Sequence, residues 1–83
     1  MSVKPYVLDA HKELTITVRL TERDRQILEL IVAGKQNKEI AGLLNLPVRM
    51  VKYSLRALRV KLGVVQLGRA GLAATALRNG IVK

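Results

Sequence analysis

Basic side chains recur at helical spacing in the middle of this chain, where they are suited to bind a polyanion. Arg49, Lys52, Arg56 and Arg59 are separated by three, four and three residues. This spacing places them on one side of an α-helix, and Tyr53 falls on the same side. Charged N–H groups on such a face are able to donate to phosphate oxygens or to the edges of bases. The composition of this face therefore predicts contact with DNA.

The distribution of charge supports the same partner. Glu39 is the last acidic residue, and the 44 residues after it carry eight Lys or Arg and no Asp or Glu. The first 39 residues hold seven basic and six acidic side chains, so +8 of the formal net charge of +9 belongs to the second half. A field of one sign attracts a polyanion. We expect double-stranded DNA to be the ligand.

The residue types required for catalysis are sparse. His11 is the only histidine, cysteine is absent, and neither Ser2 nor Ser54 has a histidine base beside it in sequence. We interpret His11 as an exposed residue in a turn. The six acidic residues are scattered and the glycines form no dinucleotide-binding fingerprint. We therefore predict no enzyme activity, no cofactor and no metal site.

Length and composition predict a single small α-helical domain. The chain has 83 residues, of which 49% are hydrophobic and only two are aromatic. It shows neither a signal peptide nor an apolar run of the roughly 20 residues that a membrane span needs. A basic segment lying on an anionic membrane is the weaker alternative. The composition predicts a cytoplasmic protein.

Helical periodicity and capping residues predict four helices. The first begins after Thr21, which with Asp24 forms a capping box, and ends at Gly34. Asn37 is expected to cap the second, and Asn45 to adopt a left-handed conformation after it. The second, third and fourth helices are expected at about 37–44, 48–62 and 69–78. The second and third form a helix-turn-helix, in which the second member of the pair lies in the major groove.

Apolar positions predict how these helices are buried. Ile40, Leu43 and Leu44 are expected to form the buried edge of the second helix. The third helix is expected to bury a stripe with spacings of four, three and four residues, namely Val51, Leu55, Leu58 and Leu62. Between the last two helices, Val64, Val65 and Leu67 form with Leu72 an apolar group that we predict to be a surface.

Residues 1–19 differ from the rest and are predicted to be an N-terminal extension to a DNA-binding domain at 20–83. Residues 14–20 alternate between apolar and polar types, which is typical of a strand, but an extended linker remains the alternative. Residues 6–8 are a candidate partner strand, with residues 9–12 as the turn. Because an isolated hairpin is marginal in water, it would need to pack on the helices or pair with a second subunit.

Several motifs in series resemble the DNA-binding domain of the LuxR/GerE family. They are LTERDRQIL at 20–28, Gly34, NKEIA at 37–41, VK at 51–52 and KLGV at 61–64. The resemblance implies a four-helix domain of a bacterial, nucleoid-associated transcription factor. It also implies binding to DNA in pairs, with the last helix supplying much of the homodimer contact. With about 19 residues ahead of the motifs, the chain resembles either a stand-alone member or an excised output domain.

The resemblance implies a role for individual residues. Lys52, Tyr53 and Arg56 correspond to positions that face the major groove, where Lys52 and Arg56 would donate to guanine and Tyr53 would contact a thymine methyl group or a phosphate. The alternative is that all three are solvated surface residues. A further set would contact the DNA backbone: Asn37, Lys38, Arg49 and Arg59. Asn37 is alternatively a helix cap only, and Lys61 either contacts DNA or caps the carbonyl groups at the end of the third helix.

Four departures from the family pattern affect specificity and dimer geometry. Pro47 replaces a Ser or Thr cap, Met50 replaces a Thr whose hydroxyl commonly contacts phosphate, and Ser54 replaces a frequent His. The connection at 65–69 is also more apolar and about two residues longer. An alternative function is an interaction module that pairs with another regulator protein, through its N-terminal strand or its apolar last helix, and inhibits it. The apolar group of Val64, Val65, Leu67 and Leu72 motivates this alternative.

Overall fold

A two-stranded hairpin leads into four helices in the computed structural model of this chain, which describes residues 3–11 and 14–82. The elements in chain order are β1 (Val3–His11), β2 (Leu14–Thr21), α1 (Glu22–Val32), α2 (Asn37–Leu44), α3 (Val48–Lys61) and α4 (Arg69–Arg78). The predicted positions of all the helices are confirmed, α3 ending one residue before the expected Leu62. Within the described residues, no helix is both long and apolar enough to cross a bilayer.

The N-terminal segment is an antiparallel hairpin. The predicted strand is therefore confirmed, and the alternative of an extended linker is wrong. Tyr6 pairs with Val18, and Leu8 with Ile16, as expected for a partner strand at 6–8. The predicted turn at 9–12 is wrong for residues 9–11, because cross-strand pairing continues to His11 opposite Leu14. Residue 12 lies outside the described residues.

The hairpin and the helices share one hydrophobic core. The hairpin contributes Leu8, Val18 and Leu20, all of which are buried. α4 packs chiefly on α1, and α2 packs chiefly on α3, while β2 lies against α1. The predicted stripe of α3 is confirmed, since its four members are buried: Val51, Leu55, Leu58 and Leu62. Burial of apolar area at about 25 cal/mol per Å² is the main force that holds these layers together.

Local signals define the ends of α1 as predicted. The Thr21 Oγ1 accepts a hydrogen bond from the Asp24 N–H at 3.1 Å, and the Asp24 carboxylate accepts one from the Thr21 N–H at 3.0 Å. Both bonds satisfy backbone donors that the helix itself leaves unpaired. Gly34 has a φ of +82°, a conformation that residues with a Cβ rarely adopt, and it ends the helix.

Two predictions of burial are wrong. Leu43 is 62% exposed, because the buried side of α2 runs through Ile40 and Ala41 and the half-buried Leu44, and position 43 is rotated away from that side. Val64 and Leu72 are buried in the core rather than on the surface, which leaves Val65 and Leu67 as the exposed apolar residues of the α3–α4 connection.

Candidate nucleic-acid interface

The turn between α2 and α3 is set by local backbone geometry. Asn45 has a φ of +56°, which confirms the predicted left-handed conformation. The next N–H, that of Leu46, donates to the Ala41 carbonyl at 2.8 Å, and the Leu46 side chain packs against the core. Pro47 precedes α3 as its N-cap, and its carbonyl accepts the first hydrogen bonds of the helix. This sharp turn fixes how α3 projects from the domain.

The side of α3 opposite its buried stripe carries an exposed cluster of predicted site residues. Arg49, Lys52, Tyr53 and Arg56 are all exposed and line a single shallow depression. Tyr53 is 73% exposed, an unusual position for a large aromatic ring in a chain with a complete core. The structure therefore brings four of the seven predicted residues together. We call these four residues the α3 face.

Arg59 lies one turn beyond the α3 face and is partly engaged within the protein. Its side chain is half-buried, and its Nε donates to the Leu67 carbonyl at 3.2 Å, which fastens the α3–α4 connection to α3. Arg59 also lines a second concavity with Lys52 and Arg56, bordered by Val60, Val65 and Leu67. A phosphate contact by Arg59 would therefore use the guanidinium nitrogens other than Nε.

At the start of α2 the structure corrects the role of Asn37. Gln36, with an extended backbone, is the N-cap, and its N–H donates to the Glu39 carboxylate at 3.0 Å. The predicted capping by Asn37 is wrong because its side-chain oxygen accepts a hydrogen bond from Arg69 instead. Lys38 is exposed beside it, and both residues line a groove between the start of α2 and α4.

The three acidic side chains of α1 are held by partners within the domain. Arg25 forms ion pairs with Glu22 and Glu29, each at 2.6 Å. The hydrogen bond from Arg25 lowers the pKa of Glu22, and the bonds to both carboxylates raise the pKa of Arg25. Lys61 pairs with Asp24 at 3.4 Å rather than capping carbonyl groups. With three acidic and two basic side chains α1 is nearly balanced in charge, whereas α3 carries five basic side chains and no acidic one.

Sequence reasoning missed Arg69 as a residue of this region. Its guanidinium donates to the Asn37 side-chain oxygen and to the Lys35 carbonyl, and it lines the groove at the start of α2. A signal was present in the sequence, because a cation in the first turn of a helix faces the positive end of the helix dipole and needs a compensating partner. Among the described residues, no group of three His, Cys, Asp or Glu side chains forms a candidate metal site.

Comparison with known proteins gives consistent matches. A family model described as bacterial regulatory proteins, luxR family, matches residues 18–73. The transcriptional regulatory protein MctR of Rhizobium johnstonii is 46% identical over 63 residues, which are 76% of this chain and 28% of that protein. The HTH-type transcriptional regulator MalT of Klebsiella pneumoniae is 44% identical over 52 residues, 63% of this chain and 6% of its own length. This chain therefore spans only a minor part of these curated relatives.

Two solved structures are similar in fold. The transcription factor GerE superposes with a TM-score of 0.70 at 31% identity, over 77% of this chain and 92% of that one. The VqmA dimer of Vibrio cholerae, in a structure described as lacking its target DNA, gives a TM-score of 0.69 at 26% identity. That match covers 98% of this chain and 35% of the VqmA chain.

Proposed function

This chain belongs to the luxR family of bacterial regulatory proteins, and we propose that it acts as a homodimer in which α3 of each subunit enters the major groove of DNA. The chain is a DNA-binding transcription-regulator domain and not an enzyme. The observation that carries the groove assignment is the α3 face, where four exposed side chains surround one depression opposite the buried stripe of the same helix. A helix held in this way presents its outer side to the groove without disturbing the core.

Within the α3 face we assign base reading to Lys52 and Arg56, with Tyr53 between them. Both cations are exposed, and Arg or Lys donating to guanine O6 and N7 is the commonest specific contact in the major groove. Tyr53 offers an apolar ring for a thymine methyl group and a hydroxyl for a phosphate. Sequence preference in this proposal comes from these three side chains.

A second group of residues would hold the DNA backbone. Arg49 and Arg59 flank the reading residues on α3, while Lys38 and the N–H groups of the first turn of α2 would contribute from the other helix of the helix-turn-helix. The first turn of a helix is a favourable position for a phosphate, because free N–H groups and the helix dipole both attract an anion. Asn37 would act here through its backbone, since its side chain is engaged by Arg69.

The exposed side of α4 supports pairing of two subunits through the last helix. Ala70, Ala74 and Leu77 are exposed at spacings of four and three residues, while Leu72, Thr75 and Ala76 face the core. Small side chains allow two helices to approach closely, and Leu77, at 48% exposure, supplies an apolar contact. A two-fold dimer would place two half-sites about one turn of DNA apart.

The experiment that tests this proposal is selection of bound sequences from a random DNA library, followed by anisotropy titration of the selected site at several salt concentrations. We expect an enriched two-fold motif and, for about six to ten phosphates per dimer, a slope of log K against log salt near −5 to −9. Lys52→Ala or Arg56→Ala should cost about 1–3 kcal/mol and relax the preference at one position. Lys38→Ala and Arg49→Ala should instead weaken binding to all sequences alike.

Arg23→Ala provides the charge-matched control, because Arg23 is exposed on α1 and lines neither the α3 face nor the concavity beside Arg59. It removes one positive charge and should leave the selected motif unchanged. If Lys52→Ala and Arg56→Ala change neither affinity nor sequence preference relative to this control, the groove assignment is wrong.

An interaction module that inhibits another regulator remains the second candidate function. It is favoured by one observation, the exposed apolar residues Val60, Val65 and Leu67 that border the concavity beside Arg59. Substitution of Val65, which lines this concavity but not the α3 face, discriminates between the two functions. Regulation in cells would be lost in Val65→Ser if the protein acts through a protein partner at this concavity, and it would persist if the protein acts through DNA.

A further inference from the structure

The N-terminus of α4 carries a cation in a position that the helix itself disfavours. Arg69 is the first residue of α4, where the dipole presents its positive end, and its side chain is half-buried. An arginine retained at such a position is stabilised by acceptors elsewhere in the fold.

Those acceptors belong to the segment that starts α2. One guanidinium nitrogen of Arg69 donates to the Asn37 side-chain oxygen and the other terminal nitrogen to the Lys35 carbonyl. Lys35 and Asn37 flank Gln36, the N-cap of α2. The planar guanidinium addresses both acceptors at once, which a lysine ammonium group on its flexible stem does not reproduce.

This contact joins two parts of the domain that otherwise pack on different neighbours. α4 packs chiefly on α1, whereas α2 packs chiefly on α3. The residues before α4 are also fastened to α3, because the Leu67 carbonyl accepts a hydrogen bond from Arg59. The beginning of α4 is therefore tied to both helices of the helix-turn-helix, to α3 through Arg59 and to α2 through Arg69.

From this arrangement we propose that Arg69 is a positioning residue that fixes the orientation of α4 relative to the helix-turn-helix and so sets the spacing of DNA half-sites that the dimer accepts. The proposal rests on the proposed function, in which α4 pairs the subunits and α3 reads DNA. Arg69 touches no base in this proposal. It acts by restricting the angle between the helix that joins the subunits and the helix that reads the sequence.

The experiment measures the affinity of the intact chain for three DNA duplexes. One carries the selected two-fold site, the second carries the same half-sites moved apart by one or two base pairs, and the third carries a single half-site. The variants are Arg69→Gln and Arg69→Lys, and the matched control is Arg23→Gln, which removes the same charge from an exposed position on α1, outside the α3 face and the exposed side of α4. Circular dichroism at the assay temperature confirms that each variant is folded.

We expect Arg69→Gln to bind the single half-site about as well as Arg23→Gln does. In Arg69→Gln, the affinity for the selected spacing divided by the affinity for the shifted spacing should be at least about fivefold lower than in the control. A factor of about five is the lower end of typical coupling between two sites. Arg69→Lys should resemble Arg69→Gln, since the charge is kept but the two-pronged contact is lost. A loss of stability alone would lower all three affinities together and leave the ratio intact.

A double-mutant cycle tests whether Arg69 influences the spacing preference through its hydrogen bond to Asn37. Asn37→Ala removes one of the two acceptors, so it should cause part of the same loss of spacing preference and should make the Arg69→Gln effect smaller. Because it is the milder change, it also tests the proposal if Arg69→Gln does not fold. The proposal is overturned if Arg69→Gln, or Asn37→Ala in its place, keeps the spacing ratio of the Arg23→Gln control. Selection of a single half-site by the unmodified chain would instead contradict the homodimer of the proposed function.

Discussion

At the scale of single residues, Asn45 determines the turn on which the helix-turn-helix depends. Among the residues that the structure describes, it is the one non-glycine residue with a positive φ, at +56°. The left-handed conformation costs most residues about 1–2 kcal/mol, whereas Asn and Gly adopt it readily. The identity of this residue therefore affects the angle between α2 and α3 through the backbone rather than through a side-chain contact.

We predict that Asn45→Ala lowers the free energy of unfolding by about 1 kcal/mol, while Asn45→Gly changes it by only a few tenths. Urea denaturation followed by circular dichroism measures both. Equal losses in the two variants would contradict this account, because they would assign the effect to the amide side chain and not to the conformation of the backbone.

At the scale of elements, two glycines lie inside helices in opposite surroundings. A Cβ added to Gly42 in α2 would have no atom within 4 Å, whereas one added to Gly71 in α4 would lie 2.6 Å from the Leu67 Cβ. Gly71 is therefore required by the close approach of the α3–α4 connection to the first turn of α4. No close contact requires a glycine at position 42, and Gly42 weakens α2 by about 0.5–1 kcal/mol relative to Ala.

The same substitution should consequently have opposite effects at these two positions. We predict that Gly42→Ala raises the free energy of unfolding by about 0.5–1 kcal/mol. Gly71→Ala should lower it by about 1–3 kcal/mol, since the overpacking exceeds the gain in helix propensity. Thermal and urea unfolding of the two variants measure the difference, and a stabilised Gly71→Ala would show that the connection moves away from α4 at little cost.

At the scale of the whole molecule, the hairpin is part of the same core as the helices. Leu8 and Val18 are 5% and 7% exposed, while Val7, the neighbour of Leu8 on β1, is 60% exposed. Adjacent residues of a strand point to opposite sides, so β1 has one side against the helices and one side in solvent. Burial on the helices explains how a two-stranded sheet, marginal by itself, is held.

We predict that Leu8→Ala lowers the free energy of unfolding of the entire domain by about 2–5 kcal/mol. Val7→Ala, the matched control on the exposed side of the same strand, should change it by less than about 0.5 kcal/mol. If the helical circular dichroism signal is lost in a single cooperative transition, that transition measures how far Leu8→Ala destabilises the helices as well as the hairpin. If both variants unfold at the same denaturant concentration as the unmodified chain, the hairpin does not contribute to the helical core.

The sequence by itself determined the features that depend on neighbouring residues. The ends of α1 follow from the Thr21–Asp24 capping box and from Gly34, and the turn after α2 follows from Asn45. The buried stripe of α3 and its basic outer side follow from a period of 3.6 residues, and the luxR family from motifs at fixed spacing. Apart from the family motifs, which extend over residues 20–64, each of these signals lies within a few residues of the structure that it specifies.

The tertiary structure alone decided the contacts between residues far apart in the chain. Leu43 is exposed, Lys61 pairs with Asp24, and Asn37 accepts a hydrogen bond from Arg69 instead of capping α2. Helical period does not reveal these outcomes, because they depend on the angles at which the helices pack. Those angles depend on how the whole core packs. A hydrogen bond between side chains 32 positions apart, such as that from Arg69 to Asn37, is therefore not specified by the local sequence.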